Sequence, residues 1–295
     1  MLVQEYFKSR TDLFEASMKI FMDPIDTYPK KLNEAMHYSI FNRGKRLRPI
    51  LFLATYEMLI GRKNLKRLDR LLPAACALEM VHTASLIHDD LPSADNSDER
   101  RGLPSCHKKF GDATAILAGD ALITKAIETL TKLKSKKEAI DAISILTHAV
   151  STHGMIGGQA VDIVSAKKKA NKNTLHYIHL KKTGSLLLAS TELACIFAKT
   201  EENTRIKLGN FALNLGLAYQ IVDDILDEIG SFEVLGKEPG GDSKNMKATY
   251  PSVFGLETSK DKAEKLLRDC YNIVKNMEHN EIMIEFINMV KERLP

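Results

Sequence analysis

A chain of 295 residues with 44% apolar composition has the material for one large domain or two small ones. Its 42 basic and 38 acidic residues leave a formal net charge of +4, which argues against a nucleic-acid binder. Cys76, Cys106, Cys195 and Cys270 are scattered with no Cys-x-x-Cys pair, so no zinc knuckle or dithiol motif is indicated, and reduced thiols in a cytosolic protein are expected. The first ten residues lack the order of a secretion signal, and no apolar run is expected to reach the ~18 residues of a membrane span.

In chain order, residues 6–40 carry helical spacing, with Phe14, Met18 and Phe21, then Leu32, Met36 and Ile40, on single faces broken near Pro24 and Pro29. Next comes Arg43-Gly44-Lys45-Arg46-Leu47-Arg48-Pro49, with four basic residues around a glycine, ahead of the apolar run 50–59. Gly44 permits a tight backbone and Pro49 suits a first helical turn. Backbone donors there, with Lys45 and Arg48, could hold a phosphate; a plain basic surface loop is the alternative.

Residues 68–91 are apolar on nearly all sides, the pattern of a central helix, and Pro92 ends it. Asp89 and Asp90 fall in its last turn and Asp95 on the loop that follows. The helix dipole disfavours acids at that end, and metal ions would supply the compensating charge. Helices are expected over 110–130, over 139–163 with Gly154, Gly157, Gly158 and Gln159 inside, and over 174–199 around Lys182-Thr183-Gly184. The helix over 204–229 carries a second acidic element, in which Asp223 and Asp227 share a face, with Asp224 one position round and Gln220 a turn behind. A glycine-rich loop bearing Lys237 and Lys247 precedes two or three amphipathic helices over 260–294. No alternating strands, phosphate loop or dinucleotide fingerprint are present. The reading is a single all-α domain over 1–295, a large bundle of ten or more helices around a central cavity.

Two acidic elements on apolar helices imply several magnesium ions, since magnesium prefers few carboxylates plus substrate phosphates. A substrate with a diphosphate head and a hydrocarbon tail explains both the acids and the apolar helix behind them. Cations would stabilise the leaving diphosphate, an alkene would attack the allylic cation, and water would have to be excluded.

These motifs, in this order from Arg43 to Pro251, make the chain resemble the all-trans prenyl diphosphate synthases of the farnesyl and geranylgeranyl type. The resemblance implies the isoprenoid synthase fold and a homodimer in the cytoplasm, with no integral membrane segment. It implies that Asp89, Asp90, Asp95, Asp223, Asp224 and Asp227 surround three magnesium ions and the allylic diphosphate. Arg100, Lys182, Thr183, Gln220, Lys237 and Lys247 would grip that diphosphate. Gly44, Lys45, Arg48, His82 and Arg101 would hold isopentenyl diphosphate. Asp89, Asp90, Lys182, Asp223 and Asp224 would be the catalytic set. Arg43 replaces the first of two glycines usual in the family, and Ala94 replaces a common methionine; no charged or polar motif position named here is missing. A terpene cyclase would have no reason to keep the basic loop 44–48. A non-catalytic partner subunit should have lost aspartates, and a helical scaffold leaves the charges unexplained.

Product length would be set below the metals on the helix before Asp89, at Ser85 and Ala84 and one turn further back at Val81 and Leu78. In the resembling bacterial farnesyl enzymes the position matching Ala84 is a bulky aromatic. The small Ala84 and Ser85 point to a twenty-carbon product, geranylgeranyl diphosphate, with farnesyl diphosphate as the alternative. A bulky residue elsewhere, near Met155 or Phe211, could close the same space.

Overall fold

The computed structural model describes residues 3–61, 68–165, 171–229 and 248–295. The fold is all-α, as expected, and among the described residues the exception is a short hairpin, β1 (Glu99–Arg100) against β2 (Leu103–Pro104). It divides into two compact units.

The first unit comprises Met1–Leu53 and Leu65–Ser144. It holds α1 (Val3–Phe21), α2 (Lys30–Ile40), the start of α3 (Leu47–Ile60), α4 (Leu72–Asp89), α5 (Cys106–Phe110), α6 (Asp112–Leu130) and most of α7 (Lys136–Val150). Its centre is α4, buried from Leu72 through Val81. Five of the residues between 74 and 84 are alanine or cysteine, small enough to let α4 lie close along α6, its main neighbour. Pro73 sits in the first turn of α4, where its missing N–H costs nothing.

Leu68–Asp89 is in fact long and apolar enough to cross a membrane, which corrects the expectation that no such run exists. Of an apolar 18-residue stretch within it, 78% is buried inside the protein, the burial expected of a core helix.

The second unit comprises Ala54–Asn64 and Ile145–Pro295. The single helix expected over 139–163 is two, α7 and α8 (Met155–Ser165), broken at Ser151–Gly154. The break requires glycine at 154, where an added Cβ would sit 2.0 Å from the Ala149 carbonyl oxygen. α9 (Lys172–Ile178) runs through a π-turn (His179–Gly184) into α10 (Ser185–Ala198) without interruption. α11 (Glu202–Ile229) is the axis of this unit, packed on α10, the π-turn and α13 (Leu256–Val274). α12 (Tyr250–Phe254) and α14 (Glu281–Lys291) complete it. Each buried leucine or phenylalanine on these faces contributes about 1.5–3 kcal/mol relative to exposure, and Phe211, Leu215, Ile221, Val222 and Ile225 are all buried along α11.

Candidate active site

In the first unit, α4 stops at Asp89 with Asp90 as its cap, within two residues of the end expected from Pro92. The loop then folds back over the helix end. Asp95 N–H donates to the Asp89 carbonyl at 2.9 Å and Ser97 N–H to the Asp90 carbonyl at 3.2 Å, which satisfies carbonyls the helix leaves open. Arg100, on β1, clamps the buried Asp90 carboxylate with its guanidinium, Nε lying 3.1 Å from both oxygens. Burial still holds the Asp90 pKa above its ordinary value, against the opposing pull of Arg100. The site therefore has use for further positive charge.

Arg101 and Gly102 have φ of 57° and 76°, the conformation of a two-residue hairpin turn between β1 and β2. That turn brings the Arg101 guanidinium against Gly44, where an added Cβ would lie 2.5 Å from Nη1. Asn42 Nδ2 donates to the Arg100 carbonyl at 3.2 Å, joining the basic loop to the hairpin. Burial first, then the field of Arg48, Arg101, Arg100 and Arg46, holds the His82 imidazole well below its usual pKa, so the ring is neutral. Arg48, Arg100 and Arg101 thus form a cationic cluster around Gly44 and the neutral His82, beside Asp90. A cavity opens there, lined by Asn42, Thr83, Leu86, Asp90, Arg100 and Arg101.

The four basic residues of the loop divide by role. Arg43 and Lys45 are exposed and Arg48 is half-buried. Arg46 turns inward, buried over the Phe14 ring, donating to Glu15 at 2.9 Å, Glu79 at 3.1 Å and the Ile40 carbonyl at 2.7 Å.

Leu78, Val81 and Ala84 are fully buried on α4, while Ser85 is half-buried with its hydroxyl on the His82 carbonyl. Ala84 shares a face with Met80 and His88, one turn to either side. Met80 Sδ meets Thr129 at 3.7 Å and His88 Nε2 meets the Ile116 carbonyl at 3.2 Å, both on α6. Ala84 therefore faces α6, and Ser85 is the residue below Asp89.

In the second unit, α11 presents Gln220, Asp223, Asp224 and Asp227 over two turns. Thr183 Oγ1 donates to Gln220 Oε1 at 3.0 Å, Gln220 Nε2 to Asp224 Oδ1 at 3.3 Å, and Tyr250 N–H to Asp224 Oδ2 at 2.8 Å. His179 Nε2 approaches Asp224 Oδ2 to 3.5 Å. Burial pulls the His179 pKa down to about 3, so this ring is neutral too. Arg293, stacked on the Tyr219 ring, donates to Asp223, and Lys182 Nζ meets Asp162 at 2.8 Å. Asp227 is buried. Lys237 and Lys247 lie outside the described residues.

Among the described residues, no three Asp, Glu, His or Cys side chains converge into a preformed ion cage. Magnesium does not require one, because it is held by one or two carboxylates plus waters and substrate phosphates. The donors are hard carboxylate oxygens, and burial holds Asp90 above its ordinary pKa even with Arg100 beside it, so the residues present fit a hard cation.

Sequence reasoning missed Asp162, Arg46, His179 and Arg293. Asp162 was detectable as the one acid inside the apolar helix 155–165. Arg46 and His179 carried no local signal, because their partners Glu79 and Asp224 are 33 and 45 positions away.

All-helical architecture, with two acidic elements each backed by cations, defines the isoprenoid synthase fold class. The polyprenyl synthetase family profile matches residues 29–290, so the chain belongs to that family, in its short-chain trans-prenyltransferase branch. The chain is 43% identical over 272 residues to geranylgeranyl pyrophosphate synthase 7, chloroplastic, of Arabidopsis thaliana, covering 90% of this chain and 77% of that one. It is 40% identical over 264 residues to the farnesyl diphosphate synthase of Geobacillus stearothermophilus, covering 88% and 87%. Among solved structures, the Helicobacter pylori geranyltransferase complexed with magnesium and isoprenyl diphosphate superposes with a TM-score of 0.86 at 30% identity, covering 100% of this chain and 98% of that one. The protein is accordingly an enzyme, a magnesium-dependent prenyltransferase that joins isopentenyl diphosphate head to tail to allylic diphosphates.

Proposed function

We propose that the product is the twenty-carbon geranylgeranyl diphosphate. The observation that carries this reading is Ser85, a small, half-buried residue one turn below Asp89 on the same helix face. With Ala84 turned to α6, the α4 surface next to the metal end therefore offers no bulky stop to a growing tail. Each helical turn is about 5.4 Å, comparable with one isoprene unit.

In this reading Asp89, Asp90 and Asp95 in the first unit and Asp223, Asp224 and Asp227 in the second would be the carboxylate ligands of three magnesium ions, whose positive charge would stabilise the departing diphosphate. Arg100, Lys182, Thr183 and Gln220 orient the allylic diphosphate, with Lys237 and Lys247 as further candidates. Gly44, Lys45, Arg48, His82 and Arg101 seat isopentenyl diphosphate. The Gly44–Arg101 contact and the shared field at His82 support that grouping. The neutral His82 can donate one hydrogen bond without adding charge. The apolar wall of α4 keeps water from the developing cation. The homodimer and the cytoplasmic setting belong to the same proposal, and sedimentation velocity tests the first.

The test is chromatography of dephosphorylated products from wild type, Ser85→Phe and Ala84→Tyr. Wild type should give the twenty-carbon alcohol and Ser85→Phe the fifteen-carbon one. Ala84→Tyr should chiefly cost stability, because Ala84 is buried against α6. A wild type that stops at fifteen carbons overturns the reading and places the floor on another element.

A further inference from the structure

The second acidic element is held by a ladder between two antiparallel segments. Thr183 and His179 are four apart in the π-turn region, and Gln220 and Asp224 are four apart on α11, so each pair shares a face. The pairs meet in matched register, Thr183 on Gln220 at 3.0 Å and His179 on Asp224 at 3.5 Å. The rungs are linked along α11 by Gln220 Nε2 on Asp224 Oδ1. Asp224 thus accepts hydrogen bonds from Gln220 and from the Tyr250 N–H, with His179 Nε2 lying 3.5 Å from Oδ2.

His179 is held in place from several directions. It is 5% exposed, and its ring lies tilted against Tyr250 with centroids 5.4 Å apart. Its Nδ1 is buried, with no hydrogen-bond partner among the described residues. Such an atom costs free energy unless the other ring nitrogen gains something. The π-turn is itself pressed onto α8 through Gly158, where an added Cβ would lie 2.3 Å from the Lys182 backbone nitrogen. Isolated π-turns of this kind occur often at functional sites.

We propose that His179 is a positioning residue: its Nε2–H fixes the plane of the Asp224 carboxylate and so sets the geometry that the second acidic element offers to a divalent cation. This rests on the reading that Asp224 belongs to the ion-binding set. A carboxylate has about four acceptor directions, and donors that occupy some of them decide where the remainder point. Outer partners of this type tune ion binding without touching the ion.

The experiment uses purified full-length protein, Mn2+ and inorganic diphosphate, with free Mn2+ read by electron paramagnetic resonance. His179→Gln places an N–H where Nε2 was, and His179→Asn places one where Nδ1 was. The expected result is that H179Q binds Mn2+ close to wild type, while H179N and Asp224→Asn bind it about 10- to 100-fold more weakly. A residue with a purely structural role would not separate the glutamine and asparagine variants in this way, and thermal melts by circular dichroism report the fold of each. If H179N does not fold, H179F, which keeps a ring and lacks both nitrogens, takes its place. Near-wild-type Mn2+ affinity in H179N or H179F, with D224N impaired, overturns the role of His179 and leaves the functional reading standing. Unchanged affinity in D224N overturns the assignment of Asp224 as well.

Discussion

Glu79→Ala removes the buried partner of Arg46. The pair lies at 3.1 Å with side chains 2% and 1% exposed, so the substitution leaves a guanidinium with little access to water. Breaking a buried pair from one side costs about 3–5 kcal/mol. Arg46 keeps Glu15 at 2.9 Å and the carbonyls of Ile40 and Asn42, which places the expected loss near the lower end, about 3 kcal/mol. At about 2 °C per kcal/mol for a chain of this size, the melting midpoint should fall by roughly 6 °C. Glu79→Gln keeps an acceptor for Nη1 and should lose about half as much. Urea unfolding followed by circular dichroism measures both. A loss below about 1 kcal/mol in Glu79→Ala would show that Arg46 is not pinned in the core and that this account of the basic loop is wrong.

The remaining predictions follow from other parts of the structure. All four thiols are buried, with pKa values raised by burial, to about 11 for Cys195 and about 12 for Cys270, so Ellman's reagent at pH 8 should find almost none in native protein and all four in urea. Raising the pH to about 9 should not speed the native reaction much, since the thiolate fraction stays small; rapid labelling of the folded enzyme would contradict this. Arg48→Ala should raise KM for isopentenyl diphosphate at least tenfold more than KM for the allylic substrate, whereas equal changes in steady-state kinetics would indicate a general structural defect. Gly158→Val should cost about 1–3 kcal/mol, because the new side chain meets the backbone of Lys181 and Lys182; an unchanged urea midpoint would refute that packing argument.

Much of the fold was readable because the helices are long and their patterns strong. The all-round apolar stretch leading to Asp89 gave the central helix and its end, and the Asp223/Asp227 spacing gave the shared face on α11. What escaped was set by distant contacts. The break between α7 and α8 depends on the backbone around Gly154, which a continuous helical pattern hides. The inward turn of Arg46 depends on Glu79 and Glu15, so composition alone made it one more base in a basic loop. Ala84 and Ser85 looked equivalent in sequence, yet a rotation of about 100° per residue sends Ala84 toward α6 and leaves Ser85 below Asp89. Lys182 finds its ion-pair partner in Asp162, 20 positions back and so beyond the reach of local spacing.

The central claim is that both acidic elements serve one magnesium-dependent condensation. Its most direct measurement incubates wild type, Asp89→Ala and Asp223→Ala with labelled isopentenyl diphosphate and dimethylallyl diphosphate, with magnesium or with EDTA, and quantifies prenyl alcohols after dephosphorylation. The account predicts all-trans elongation by wild type with magnesium, none in EDTA, and turnover lower by orders of magnitude in each variant with helical content retained. Near-normal turnover by either purified variant, or elongation that persists in EDTA, would contradict it.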